Sequence, residues 1–226
     1  MNIKEYILFE DAYIIVCHKP AKIAVQTNKS GMQDMVSLLK NYLYRQMDIK
    51  KEPYIAVIHR LDQPVEGILV FAKTPFAAKE LNKQLQNSGF GKYYQAVLCG
   101  IPEKENGRLC DYIRKDGRTN TSSIVERSDK DAKKAILDYS IIEKNEEKNL
   151  SLVKIKLETG RHHQIRVQMA NIGCPLWGDT KYNPSMSEDK KWKQIALCAY
   201  MLYFQHPKKK KHMKFEINPQ YELDKI

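Results

Sequence analysis

The sequence lacks any regular spacing of cysteines. It has five, an odd number, and none belongs to a C-x-x-C pair or to a Cys/His spacing typical of zinc sites. We therefore predict neither a disulfide framework nor a metal site, and free thiols of this kind favour a reducing compartment such as the cytoplasm. The five are Cys17, Cys99, Cys110, Cys174 and Cys198.

Long apolar stretches are also missing. The first residues interleave charged with apolar side chains, at Lys4, Glu5, Glu10 and Asp11, so they do not form the core of a signal peptide. No apolar run approaches the roughly 20 residues that a membrane helix needs. We expect a protein of the cytoplasm that does not enter a membrane.

Negative charge is scarce relative to positive charge. The 226 residues hold 38 Lys plus Arg against 27 Asp plus Glu, a formal net charge of +11. Such a surface attracts polyanions, so nucleic acid is the first partner that the composition predicts. Excess lysine that only keeps the protein soluble explains the charge equally well, and a binding site is needed to decide.

Internal repeats, low-complexity linkers and shifts of composition are absent along the chain. Its content of hydrophobic residues, 42%, is ordinary for a folded soluble protein, and its length can bury one substantial core. We predict a single domain over residues 1–226. Short β-prone runs and helical patterns predict an α+β fold, a mixed, mostly antiparallel sheet with flanking helices.

Local signals place the helices. Apolar spacing after Asp34 predicts a helix with that residue as its N-cap, and Thr74 followed by Pro75 predicts the start of a second. A third helix follows Gly160 and ends at Gly173.

Strands are predicted from short apolar runs. Two strands joined by a tight turn are expected within residues 6–17, another at residues 54–58, and a hairpin after residue 195. Residues 102–134 are polar, and we expect there a long excursion with at most short strands.

Asp62 lies in a loop predicted between two buried strands. Pro64 and Gly67 follow it and would fix and expose its side chain. Loops held by rigid strands are where catalytic groups concentrate. The ordinary alternative is an aspartate that caps its own turn.

A second polar segment, residues 159–166, places Thr-Gly before a helix and basic side chains in its first turn. Backbone N–H groups at the start of a helix bind phosphate. Arg161, His163 and Arg166 could therefore line one anionic site. A solvated, basic helix start is the alternative.

Together these segments resemble the RluA-type RNA pseudouridine synthase family. Residues 59–62 (HRLD) with 67–73 (GILVFAK) are similar to its catalytic motif. Residues 92–96 (KYYQA) are similar to its K-x-Y-x-A strand, and residues 159–166 (TGRHHQIR) to its T-G-R-x-H-Q-I-R segment. Weaker similarities extend the resemblance over nearly the whole chain, and several motifs in one order make coincidence improbable.

The weaker similarities include residues 19–20 (KP), residues 178–179 (GD) and Tyr182. Departures from residues common in the family occur at residues 64–65 (PV), Gln168 and Cys198. These departures leave the subgroup and its RNA target open. Since the chain starts directly in the catalytic fold, we expect no S4-type RNA-binding domain.

The resemblance implies an enzyme that isomerises uridine to pseudouridine in ribosomal or transfer RNA without a cofactor or metal. Asp62 would be the nucleophile, Arg166 would pair with it and lower its pKa, and Tyr94 would stack on the target uracil. Arg60 would fill the place of the turned-out base. The remaining substrate-binding residues would be His59, Arg161, His163 and Gln164. A monomer is expected.

Other functions stay open from the sequence. An RNA-binding module or RNA chaperone would have kept the fold without catalysis, but the retained Asp62, Tyr94 and Arg166 argue against that loss. A glycoside hydrolase would need a second carboxylate, for which Glu66 is the nearest candidate. The lysines of residues 208–211 would hold the RNA backbone, unless they only form a soluble hairpin tip.

Overall fold

The computed structural model describes residues 1–29, 31–48, 51–87, 89–187 and 194–226. They form two compact units: unit 1 is Met1–Gly91 with Ala199–Ile217, and unit 2 is Lys92–Cys198 with Asn218–Ile226. In the described part of the chain, every helix is too short or too polar to span a bilayer. A single domain over residues 1–226 stays a prediction.

The strands, in chain order, are β1 (Ile7–Glu10), β2 (Ile14–Lys19), β3 (Ala56–Val57), β4 (Glu66–Ala72), β5 (Gly91–Cys99), β6 (Asn106–Asp116), β7 (Thr121–Val125), β8 (Lys133–Asn145), β9 (Leu150–Leu157), β10 (Leu197–Gln205) and β11 (His212–Glu216). The α-helices are α1 (Met35–Gln46), α2 (Pro75–Gln86), α3 (Gln164–Asn171) and α4 (Pro184–Ser187), and short 3-10 helices cover Ile3–Tyr6 and Leu223–Lys225. The predicted α+β class is confirmed.

Unit 1 is built on antiparallel strand pairs. β2 pairs with β1 and with β4, β3 pairs with β4, and β10 with β11. Helices α1 and α2 begin where predicted, because the side chains of Asp34 and Thr74 accept hydrogen bonds from the N–H groups of Ser37 and Ala77. Apolar side chains of β2, β4, α2 and β10 form the core of the unit.

Unit 2 contains five neighbouring antiparallel strands in the order β5-β9-β8-β6-β7. β5 and β9 pair from Lys92↔Leu157 to Cys99↔Leu150. The third predicted helix is confirmed as α3, which ends before Gly173 in the left-handed region, with φ 78°.

Two strands, β6 and β7, and the start of β8 occupy much of the polar excursion predicted at residues 102–134. β6 has 11 residues and pairs with both β7 and β8, so the expectation of at most short strands is wrong. Most of its side chains are exposed or half-buried, which removes the apolar alternation that marks a strand in sequence. The strand predicted at residues 54–58 is shorter than expected, since β3 has two residues.

Candidate active site

Asp62 lies in unit 1, in the loop between β3 and β4, and its side chain is half-buried. The N–H of Val65 donates to the backbone carbonyl of Asp62 at 3.1 Å, which closes a tight turn. Leu61 and Val65 are buried on either side, with 8% and 2% of their surface exposed. The loop is therefore anchored by its apolar residues around the carboxylate.

Lys19 anchors this loop through hydrogen bonds. Its side chain is fully buried, and its Nζ donates to the carbonyl oxygens of Pro20 (2.9 Å), Ile23 (2.8 Å) and Gln63 (3.2 Å). Burial lowers the pKa of Lys19 to about 8, against the opposing charges of Asp62 and Glu66. The last bond ties the end of β2 to the residue after Asp62, a role that the sequence did not predict.

Gly67 sets the other end of the loop. Its φ is +136°, a region that other residues rarely adopt, and a Cβ built there would lie 2.5 Å from the backbone nitrogen of Ala199. β4 therefore starts in close contact with β10 only because residue 67 has no side chain.

His59 and Arg60 precede Asp62 and differ in environment. The His59 ring packs edge-on against Phe90 at 5.2 Å, and its Nε2 accepts a hydrogen bond from the N–H of Val70 at 3.4 Å. Arg60 is exposed. His59 thus has a packing role, and contact of either residue with substrate stays a prediction.

Tyr94 lies in unit 2, on β5, where it is opposite Ile155 of β9. Only 6% of its surface is exposed. Its burial fits the packing role that tyrosines commonly have in strands, and stacking on uracil stays a prediction.

Arg166 is held in unit 2 by a carboxylate that the sequence left without a role. Its Nε and one terminal nitrogen contact the two oxygens of Asp179 at 2.8 and 2.7 Å. Both side chains are buried, with 6% and 0% exposed. Such a bidentate pair fixes the orientation of the guanidinium. The pairing of Arg166 with Asp62 stays a prediction.

Tyr182 connects this pair to the start of α3. The guanidinium of Arg166 lies over the Tyr182 ring, 5.1 Å from its centroid. The Tyr182 hydroxyl is 2.7 Å from Nδ1 of His163 and accepts the N–H of Ser122 at 2.7 Å. His163 and Arg166 therefore share Tyr182 as a partner, and an anionic site at these residues stays a prediction.

Gln164 organises the turn before α3. Its Oε1 accepts from the Thr159 hydroxyl at 2.8 Å and from the N–H of Arg161 at 3.0 Å, and its Nε2 donates to the carbonyl of Ile136 at 3.1 Å. The amide thus has partners inside the protein at both ends. The backbone N–H of Arg161, which we predicted to be available to phosphate, instead donates to the Gln164 side chain.

Arg161 has different partners from those of Arg166. Its side chain is exposed, and its Nε donates to the carbonyl of Lys134 at 2.8 Å. Two of the lysines at residues 208–211 form ion pairs within the protein: Lys209 contacts Asp11 at 3.1 Å and Lys210 contacts Glu80 at 2.6 Å. These contacts favour a structural role for part of that run.

Among the described residues, no group of three or more His, Cys, Asp or Glu side chains is arranged to hold a metal ion. The candidate chemical groups described above are the half-buried carboxylate of Asp62 and the imidazole of His59 in unit 1, and the guanidinium of Arg166, two tyrosines (Tyr94 and Tyr182) and the imidazole of His163 in unit 2. A carboxylate can act as a nucleophile, and the cationic groups can hold an anionic substrate.

Comparison with known proteins gives these residues a context. A family profile described as RNA pseudouridylate synthase matches residues 13–171. A protein of Aquifex aeolicus named Uncharacterized RNA pseudouridine synthase is 32% identical over 225 residues, covering 96% of this chain and 70% of that protein. Ribosomal large subunit pseudouridine synthase D of Haemophilus influenzae is 34% identical, covering 91% of this chain and 64% of that protein.

The chain therefore spans about two thirds of the length of these relatives. A solved structure, Human RNA Pseudouridylate Synthase Domain Containing 4, superposes with a TM-score of 0.78 at 20% identity, over 96% of this chain and 90% of that one. This likeness confirms the predicted fold.

Proposed function

Because the chain belongs to the RNA pseudouridylate synthase family, we propose that it isomerises uridine to pseudouridine in RNA, with Asp62 as the nucleophile. The observation that carries this is the family match over residues 13–171, which contains Asp62, Tyr94 and Arg166 within the motifs identified in the sequence. The reaction breaks the bond between uracil and ribose and rejoins the base through carbon 5. A carboxylate can mediate both steps.

The roles of the three residues follow from their chemistry. Asp62 must be ionised, and Arg166 supplies the cation that favours its charged form. A guanidinium carries five N–H donors, so it can hold Asp179 and a second carboxylate at once. The Tyr94 ring stacks on the target uracil, and its hydroxyl is suited to moving the proton from carbon 5.

RNA is the proposed partner. The net charge of +11 favours a polyanion, Arg60 fills the vacated place in the stem, and the other contacts come from His59, Arg161, His163 and Gln164. A relative is named as a synthase of the ribosomal large subunit, which supports ribosomal RNA as the target, with transfer RNA as the alternative. We place the enzyme in the cytoplasm, as a monomer.

Release of tritium from carbon 5 of uridine tests the proposal, since that hydrogen must leave when the new bond forms. Pooled RNA labelled at this position is incubated with the protein, with Asp62→Asn and with Glu66→Gln as a matched loss of a neighbouring carboxylate. We expect release by the unchanged protein and by Glu66→Gln, and none by Asp62→Asn. If the unchanged protein released no tritium, the alternative of an RNA-binding module without catalysis would be favoured. Free uracil in the reaction would indicate a hydrolase.

A further inference from the structure

Lys92, the second residue of β5, is a cation without a counter-charge. Its side chain is half-buried, and its ammonium makes no hydrogen bond or ion pair within the described chain. Burial, and after it the charge of Arg161, lowers the pKa of Lys92 to about 8. A half-buried cation without a counter-charge destabilises the fold unless an anion binds to it.

The ammonium lies against the turn before α3. A Cβ built on Gly160 would be 3.1 Å from Nζ of Lys92, so the lysine reaches the turn because residue 160 has no side chain. The next residue is Arg161, whose Nε is tethered to the carbonyl of Lys134. Its two terminal nitrogens have no acceptor among the residues that the structure describes.

Three arginines of unit 2, by contrast, have carboxylate partners. Arg166 contacts Asp179, Arg108 contacts Asp138 and Glu158, and Arg114 contacts Asp129. Lys92 and Arg161 instead act on one another, and like charges brought together are unfavourable until an anion joins them. A phosphate accepts hydrogen bonds from both kinds of head group.

We propose that Lys92 and Arg161 bind one phosphate of the RNA backbone, at the nucleotide to be modified or its neighbour. The choice of nucleotide rests on the function proposed for Tyr94. Lys92 and Tyr94 are two residues apart on β5, so their side chains leave the same face, about 7 Å apart along the strand. A base stacked on Tyr94 and the phosphate of the same nucleotide are separated by a distance of this order.

The test is the binding of a fluorescently labelled RNA stem-loop with a uridine-containing loop, measured over a range of salt concentrations. The variants are Lys92→Gln, Arg161→Gln, both together and Lys92→Arg, with Lys104→Gln as an exposed control of equal charge loss. We expect each neutral variant to weaken binding several-fold. The double variant should flatten the slope of log affinity against log salt by about 0.7–0.9, the value for one phosphate. Lys92→Arg should retain binding, and the control should behave like the unchanged protein.

Thermal unfolding separates this role from a structural one. Removing an unpaired, half-buried cation should raise Tm in Lys92→Gln, whereas a lysine needed by the fold would lower it. A lowered Tm, or an unchanged salt slope in the double variant, overturns the proposal. Because binding is measured without turnover, the phosphate site can stand even where tritium release fails. If the double variant releases tritium at the normal rate with an unchanged KM for RNA, the phosphate site is ruled out and the proposed isomerase activity stands.

Discussion

Arg166 and Asp179 form a buried bidentate ion pair, with contacts of 2.8 and 2.7 Å. Asp179 also accepts the backbone N–H groups of Lys181 and Tyr182 at 2.9 and 3.3 Å. One carboxylate therefore orients the guanidinium and folds the turn that places the Tyr182 ring over it. Asp179 therefore helps to fix the orientation of the proposed partner of Asp62.

Asp179→Asn should strongly destabilise the protein and lower its activity. An amide cannot balance the buried guanidinium, and breaking one side of such a pair costs about 3–5 kcal/mol. Urea unfolding measures the first effect and tritium release the second. Asp138→Asn is the control, because its pair with Arg108 is exposed and contributes less than about 1 kcal/mol. Equal losses in both variants would contradict the role given to Asp179.

Lys19→Met should impair the loop that carries Asp62. The methionine fills much of the same space but removes the donor of three part-buried hydrogen bonds to backbone carbonyls, at a cost of about 1–3 kcal/mol. We expect kcat to fall by at least about tenfold, since small displacements of a catalytic group have effects of this size. Lys73→Met, which removes an ion pair with Glu10 in the same unit, should leave kcat near normal.

Gly67→Ala should be poorly tolerated. The added Cβ combines a positive φ with a clash against the backbone of Ala199, and the two effects together amount to about 2–6 kcal/mol. Gly117→Ala is the matched control, because a Cβ there meets nothing within 4 Å. Circular dichroism during heating compares them, and a similar Tm for the two variants would rule out the close contact between β4 and β10.

Acid should weaken unit 1 through Asp11. Burial acts to raise the pKa of Asp11, but hydrogen bonds from the N–H groups of Tyr13 and Ile14, from Lys209 and from His206 lower it from 3.8 to about 2. The folded state therefore favours the ionised form. This contribution, about 1 kcal/mol, is present above pH 4 and is lost as pH falls towards 2. Asp11→Asn should abolish this part of the pH dependence of unfolding, and an unchanged dependence would exclude Asp11 as its source.

The parts of the fold that sequence predicted are those set by neighbours in the chain. Asp34 and Thr74 cap their helices through bonds to residues three positions ahead, and Pro75 fits the first helical position for local steric reasons. β6 was missed because its partly exposed side chains carry no clear apolar period. Its pairing depends on backbone groups, which every sequence has.

The supports of the site depend on distant contacts. Lys19 binds the carbonyl of Gln63, 44 residues away, and Asp179 binds Arg166, 13 residues away. A single sequence shows neither contact, and only the family resemblance marked Lys19 and Asp179. The hydrogen bonds by which the Gln164 side chain fixes the turn from Thr159 to Arg161 were not predicted either, and its contact with substrate stays a prediction. Such side-chain partners depend on how the folded chain packs, which the pattern of a single sequence does not reveal.

We propose that Asp62 drives the conversion of uridine into its carbon-linked isomer. Chromatography of nucleosides from digested RNA, after incubation with the unchanged protein or with Asp62→Asn, measures this conversion. We expect pseudouridine in an amount equal to the uridine lost, and none with Asp62→Asn. Pseudouridine formed by Asp62→Asn, or uridine lost without pseudouridine, would contradict it.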